Sequence, residues 1–130
     1  MKYVMTGHKG LIGESLKKRL DNKGHEAVLQ VDQKEGFNIL YLESQDLKNE
    51  QVDVMFHLAA QCKINQAISK PLLPHKSNAE GIFQVLEFCR KNKIPKIVFM
   101  STSRVLSPER NPYVASKIYG EEMVKAYHEC

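Results

Sequence analysis

Tryptophan is absent from the 130 residues, cysteine occurs three times, and no long apolar run exists. The longest unbroken apolar stretches, Ile39 to Leu42 and Ile97 to Met100, are four residues each. A membrane helix needs roughly 20, so no bilayer-spanning segment and no membrane partner is expected. The opening Met1-Lys2-Tyr3-Val4-Met5-Thr6-Gly7 lacks the apolar stretch of a signal peptide and runs straight into a glycine-rich loop. A cytoplasmic protein is the expectation. Cys62, Cys89 and Cys130 are odd in number and show no CxxC spacing. They fit a reducing compartment, and neither a disulfide framework nor a metal site. Core packing is the default for Cys62 and Cys89.

A large excess of one charge is also missing. The balance of 19 basic and 15 acidic residues leaves +4. The densest basic cluster is Arg90, Lys91, Lys93 and Lys96, without aromatic interleaving. It reads as the solvated end of a helix, whose dipole favours cations there, and no nucleic-acid partner is expected. What the chain does have is enough apolar material for one core: 42% hydrophobic residues, near the norm for a globular domain of this size.

Along the chain, strand-like clusters alternate with helical patterns. Tyr3 to Met5 reads as a first strand. A helix follows with Ile12, Leu16 and Leu20 on one face and Lys17, Lys18 and Arg19 on the other. Gly24 suits its stop. Ala27 to Val31 is a second strand with Asp32 at its end, and Gly36 to Leu42 a weaker third. Glu43 to Glu50 suits a short helix. Val52 to Leu58 reads as a fourth strand, buried on both faces. Beyond Pro71 and Pro74 a long helix carries Ile82, Val85, Leu86 and Cys89. Ile97 to Met100 is a fifth strand, ending in Ser101-Thr102-Ser103, and a last helix starts near Tyr113. This alternation predicts an α/β fold, a Rossmann-like doubly wound parallel sheet of about five strands in the order 3-2-1-4-5. Ligands bind such sheets at the carboxyl ends of the strands. Thr6 to Gly13, Asp32, and Ser101 to Ser103 should share that rim.

Thr6-Gly7-His8-Lys9-Gly10-Leu11-Ile12-Gly13 sits between the first strand and the first helix. A pyrophosphate needs backbone N–H groups aimed at it, and a helix N-terminus supplies them with the favourable dipole sign. A Cβ at the turn would block that approach. A Cβ at the third glycine would hold the helix off the sheet. Asp32 lies 19 residues past Gly13, close to the ~20 expected of the acid that binds the adenosine ribose. A carboxylate there repels a 2′-phosphate and favours NAD over NADP. Lys9 in the loop can meet that phosphate, the pyrophosphate or solvent, with the last two favoured. His8 is expected to pack or face solvent.

Tyr113-Val114-Ala115-Ser116-Lys117 opens the last helix, and its i, i+4 spacing puts Tyr113 and Lys117 on one face. A free tyrosine titrates near ~10, and a neighbouring ammonium lowers that value. Thr102, at the end of the fifth strand, offers a hydroxyl to the reacting oxygen. Together they suit a proton relay between an alcohol and a carbonyl beside a hydride acceptor.

With these residues in view, the chain resembles the extended short-chain dehydrogenases/reductases, specifically the NAD-dependent epimerase/dehydratase group, UDP-glucose 4-epimerase-like, that acts on nucleotide sugars. The resemblance rests on Thr6-Gly7-x-x-Gly10-x-x-Gly13, His57-Leu58-Ala59-Ala60, Lys70-Pro71, Asn78-Ala79-Glu80-Gly81, Lys96 to Phe99 with Ser101-Thr102, and Pro112-Tyr113-x-x-x-Lys117. It implies that Thr102, Tyr113 and Lys117 are catalytic. It implies a cofactor site of Gly7, Lys9, Gly10, Leu11, Ile12, Gly13, Asp32, Leu58, Ala59, Ala60, Asn78 and Lys117. Asn38-Ile39 resembles the family's acidic-aliphatic pair near the adenine, with Asn in place of Asp. His57 reads as a structural strand-end residue.

Three departures matter. Val105 is followed by Leu106-Ser107 where the family often has Tyr-Gly. Ten residues separate Thr102 from Tyr113, a shorter loop than in most extended members. Ser103-Arg104 stand where the 4,6-dehydratases carry Asp-Glu, so the acid and base for water elimination are missing. Epimerase or reductase chemistry is favoured over dehydration. The loop Gly7-His8-Lys9-Gly10 also resembles that of NADPH-dependent GDP-sugar reductase-epimerases, which is the alternative enzymatic reading.

Family members roughly double this length with a substrate domain. Residues 1–130 are thus expected to be an NAD(P)-binding Rossmann domain with the substrate domain absent. The family's two long helices commonly pair into a four-helix dimer interface, which implies a possible homodimer. Two functions follow: the cofactor half of an NAD-dependent nucleotide-sugar epimerase, or a dinucleotide-binding module without turnover.

Overall fold

The computed structural model describes all 130 residues. Its sheet has four parallel strands: β1 (Lys2–Thr6), β2 (Glu26–Val31), β3 (Val54–His57) and β4 (Ile97–Phe99), in the order β2-β1-β3-β4. The helices are α1 (Leu11–Asn22), α2 (Ile64–Ser69), the single turn α3 (Leu72–Pro74), α4 (Gly81–Lys91) and α5 (Pro112–Glu129). Registers such as Thr6 opposite Val31 and His57, and His57 opposite Phe99, bring all four carboxyl ends to one rim.

Successive side chains of a strand face opposite sides, and the two cores follow that rule. Tyr3, Met5, Val54 and Phe56 pack with Leu16 and Leu20 of α1 on one face. Val4 and Met55 pack with Ile82, Val85, Leu86 and Cys89 of α4 on the other, joined by Met123, Val124 and Tyr127 of α5. The sheet is therefore wound on both sides, as the alternation predicts. Within α1 the inward stripe is Leu16 and Leu20. Ile12, expected on that stripe, is 53% exposed at the crest of the helix start.

The third expected strand does not form. Asn38 accepts a hydrogen bond from the Leu40 amide (3.0 Å) and starts a 3-10 helix over Ile39–Ser44. Leu42 is buried and Tyr41 exposed. A short apolar run fits a helical turn as well as a strand, and here the Asn cap decides. Ile39 lies against Gly81 at the start of α4, so this turn covers the helical layer and adds no edge to the sheet. The strand order is thus the expected one without its outermost member. The helix expected over Glu43–Glu50 is also absent. The 3-10 turn ends at Ser44, and Lys48 and Asn49 adopt positive φ of 50° and 65°.

The long helix beyond Pro74 begins as one π-helical stretch, His75–Glu80, which runs without a break into α4. Helix α5 starts where Asn111 accepts from the Val114 amide (3.0 Å), with Pro112 at its first position. Both are favourable start signals. No helix is long and apolar enough to cross a membrane. In the basic cluster, Arg90 pairs with Glu87 and Lys91 with Glu43.

Candidate functional site

The glycine loop crosses the rim between β1 and α1. Gly7 has φ +77°, and a Cβ on it would meet the Ala59 nitrogen at 2.6 Å. A Cβ on Gly13 would meet the Gly7 carbonyl oxygen at 2.1 Å. Only glycine lets this turn close onto the Leu58-Ala59-Ala60 segment and onto itself. The first helical bond runs from the Glu14 amide to the Gly10 carbonyl (2.9 Å), and Gly10 supplies no side-chain cap. The amides of Leu11, Ile12 and Gly13 are left without a protein acceptor at an open helix start. That is the chemistry a diphosphate requires, and the residues present fit a dinucleotide.

Asp32 lies at the end of β2, 8% exposed. Its two carboxylate oxygens accept from the Lys34 and Lys9 amides, each at 2.8 Å. These bonds fix the acid against the glycine loop, and each oxygen retains a further lone pair for a ribose hydroxyl. Around it lies a set of charges. The Lys34 ammonium donates to the Lys9 carbonyl (2.7 Å). The Lys9 ammonium lies 3.3 Å from Glu35, and His8 Nε2 lies 3.0 Å from the other oxygen of Glu35. His8 packs rather than facing solvent.

Leu58, Ala59 and Ala60 follow β3 and are half-buried beside the loop. Asn78, on the π-helical stretch, is buried. It accepts from the Gln61 amide (2.8 Å) and donates to the Gln61 carbonyl (3.0 Å) and to Ser116 Oγ (2.9 Å). Ser116 in turn donates to the Tyr113 carbonyl (2.6 Å). Asn78 thereby ties the Ala59-Ala60 segment to α5. Ser116 was not singled out from the sequence. Only its position inside the Tyr113–Lys117 stretch signals it. Asn38 and Ile39 open the 3-10 turn that packs on the start of α4.

Thr102 and Tyr113 share a cleft of about 710 Å³ with Cys62, Lys63, Gln66 and Arg104. Thr102 accepts from the Arg104 amide (3.4 Å), which starts a short 3-10 turn there. Tyr113 is only 8% exposed, and its hydroxyl has no protein partner. Lys117 lies one turn further along α5, behind the cleft. Its ammonium donates to the Met100 carbonyl (2.7 Å) rather than to Tyr113, and sits 4.9 Å over the Phe99 ring. Burial pulls the Lys117 ammonium down to about 8. Cys62, expected in the core, is exposed at the cleft. Cys89 is buried as expected, and burial pushes its thiol up to about 12.

His57 ends β3 with its Nδ1 2.6 Å from Thr6 Oγ1. That hydroxyl also accepts from the Ala59 amide (3.3 Å), which ties the ends of β1 and β3 together. Burial, with the Lys117 charge nearby, holds His57 down to about 3. It is a neutral brace and not a base.

Comparison with known proteins gives one family. Residues 3–130 match the NAD dependent epimerase/dehydratase family. A putative UDP-glucose 4-epimerase of Methanocaldococcus jannaschii is 26% identical over 96% of this chain and 50% of its own length. The UDP-glucose 4-epimerase of Streptococcus mutans is 26% identical over 96% of this chain and 46% of its own. Among solved structures, Pal from Bacillus thuringiensis superposes with a TM-score of 0.86 at 28% identity, over 100% of this chain and 52% of that one. The Thermus thermophilus UDP-glucose 4-epimerase complex with NAD shares the fold, with a TM-score of 0.84 at 24% identity over 99% of this chain and 51% of that one. The chain spans about half the length of these relatives. The chain belongs to the NAD-dependent epimerase/dehydratase family.

Proposed function

We propose that residues 1–130 are the cofactor-binding domain of a nucleotide-sugar epimerase of the UDP-glucose 4-epimerase type. The observation that carries this reading is the shared rim. The unpartnered amides of Leu11, Ile12 and Gly13 open one side of it, and the Thr102–Tyr113 cleft opens the other. NAD, when bound, supplies a hydride acceptor and donor at the sugar carbon.

The chain's own residues divide the work. Gly7, Gly10 and Gly13 keep the loop clear, and the three amides hold the diphosphate. Asp32, oriented by Lys9 and Lys34, takes the ribose hydroxyls. Leu58, Ala59 and Ala60 line the cofactor, with Asn38 and Ile39 on the adenine side. Asn78 fixes the distance between that lining and α5. Thr102 hydrogen-bonds the reacting hydroxyl. Tyr113 takes its proton at Oη and later returns it. Lys117 stabilises the charge that develops there and holds the end of β4 through Met100.

The reading extends to the assembly. Phe83 and Tyr119 are each 42% exposed and face a groove of about 980 Å³ between α4 and α5, with Leu72 at its edge. A second copy packing these helices against their equivalents would cover this apolar face. A shift from dimer to monomer in Phe83→Glu, seen by sedimentation, supports that arrangement.

The test of function is a titration of NAD and NADP into the chain, followed by turnover assays with UDP-glucose and a GDP-sugar on a protein spanning the whole family length. NAD binding with UDP-sugar epimerisation, abolished in Tyr113→Phe while NAD still binds, is the expected outcome. NAD binding without turnover of any sugar by a protein spanning the whole family length would favour the dinucleotide-binding module. Preference for NADPH with a GDP-sugar would favour the reductase-epimerase.

A further inference from the structure

Resting on the cofactor reading above, we propose that Glu35 sets the choice between NAD and NADP by holding the Lys9 ammonium away from the ribose 2′ position. Lys9 is one of two lysines beside the acid that takes the ribose. Its own amide bonds the Asp32 carboxylate (2.8 Å), so its side chain starts beside the acid that takes the ribose. Yet the Lys9 ammonium points to Glu35, at 3.3 Å.

An exposed lysine–glutamate pair is weak on its own, because both side chains stay mobile in water. Here the carboxylate has a second partner that is not mobile. His8 is 5% exposed, and its Nε2 lies 3.0 Å from Glu35. The other ring nitrogen, Nδ1, is buried with no partner. The carboxylate of Glu35 can only accept, so the ring carries an N–H on Nε2. That N–H faces Glu35 and orients the carboxylate over Lys9. Glu35 is further placed by the short 3-10 turn Gln33–Glu35, which the Asp32 side chain caps. The same acid that binds ribose thus starts the turn that carries the gate.

The neighbouring cation does not substitute for Lys9. Lys34 donates its ammonium to the Lys9 carbonyl (2.7 Å). The local balance is two lysines against Asp32 and Glu35, which offers a 2′-phosphate no net attraction. Removing the Glu35 charge leaves a net cation at that spot and frees the Lys9 ammonium.

The experiment measures dissociation constants for NAD and NADP by calorimetry on the 130-residue chain. It uses the wild type, Glu35→Gln, Lys9→Ala and the double variant, with folding checked by circular dichroism. Glu35→Gln is expected to tighten NADP binding about tenfold, the size of one charge-assisted hydrogen bond to phosphate, and to change NAD binding less than twofold. Lys9→Ala alone is the reference against which the double variant is read. In the double variant the gain should vanish. That non-additivity is what a merely structural role for Glu35 would not produce. If NAD binds and the NADP-to-NAD ratio is unchanged in Glu35→Gln, or if the gain survives Lys9→Ala, the proposal is overturned while the cofactor reading stands. If the folded wild type binds neither dinucleotide, the cofactor reading itself is overturned and this proposal falls with it. Should Glu35→Gln not fold, Glu35→Asp, which keeps the charge but retracts it, is expected to give a smaller gain of the same sign, and no gain would overturn the proposal.

Discussion

The ammonium of Lys117 donates to the carbonyl of Met100 at 2.7 Å, a bond from the first turns of α5 to the residue just past β4. It buries a positive charge beneath the cleft with one neutral acceptor and one aromatic face, Phe99 at 4.9 Å. Neither partner carries the opposing charge that would offset the lost hydration in full.

Stability should therefore rise with pH on the alkaline side. Lys117 titrates near 8 in the fold against 10.5 when free. Between those values the unfolded chain holds more protons than the folded one, so stability increases as pH climbs through that window. Comparison with Lys117→Met isolates the effect, since the opposing contribution of Cys89 cancels in the difference. The unfolding free energy of the wild type relative to this variant should gain about 2 kcal/mol between pH 7.5 and pH 10. Urea titrations at three pH values measure it. Parallel stability profiles for the two proteins would refute the assignment.

The acid side belongs to His57. Its pKa is held near 3, against 6.5 in the unfolded chain. Below 6.5 the unfolded state takes up a proton that the buried ring refuses, so stability falls as pH drops. His57→Asn keeps an acceptor for the Thr6 hydroxyl and does not titrate. Relative to it, the wild type should lose about 2 kcal/mol between pH 7.5 and pH 5. A wild type that tracks His57→Asn across that range would mean the ring is already charged in the fold.

Much of this architecture is readable from residue order, for identifiable reasons. The glycine loop was legible because close backbone approach tolerates no Cβ, and that constraint leaves its mark directly in composition. Asp32 was legible because a strand and a helix of ordinary length fix its distance from the loop. The 3-10 turn at Ile39–Ser44 was not. An apolar run of four has no period, and the deciding contact, Ile39 on Gly81, joins residues far apart in sequence. The same holds for Lys117. Its spacing from Tyr113 points to a pair, whereas its hydrogen bond goes to a main-chain carbonyl that no side-chain pattern encodes. Cys62 was misread because burial was inferred from residue type, and the segment after Ala60 lies at the open end of the sheet. The Asn78–Ser116 bond is equally a product of tertiary packing.

The loop glycines should separate sharply under alanine substitution. At Gly13 the new Cβ meets the Gly7 carbonyl at 2.1 Å, a main-chain atom that cannot swing aside. Gly13→Ala should lose about 3 kcal/mol of stability and at least about tenfold in NAD affinity. Gly24 also has a positive φ, +73°, but a Cβ there meets nothing within 4 Å. Gly24→Ala should bear only the left-handed strain of about 1–2 kcal/mol and bind NAD like the wild type. Chemical denaturation and calorimetry on the pair decide the matter. Equal loss of NAD affinity in both would show that the loop's close approach is not what the site needs.

A steric coupling links α5 to β4. A Cβ on Gly120 would come within 2.5 Å of Phe99 Cζ, with two further ring carbons within 3.2 Å. Phe99 is not free to retreat. Its ring stacks on His57 with centroids 5.9 Å apart and lies under the Lys117 ammonium. Gly120→Ala should therefore overpack this seam and lower stability by about 1–3 kcal/mol. Phe99→Leu removes the ring carbons that clash, at the expense of the stack on His57. In the double variant the alanine should become nearly neutral, giving a coupling energy of at least about 1 kcal/mol. Urea midpoints of the four proteins supply the cycle. Simple additivity would mean that the helix lifts off the sheet to make room, and that the close contact at Gly120 is not what seats α5 beneath the cleft.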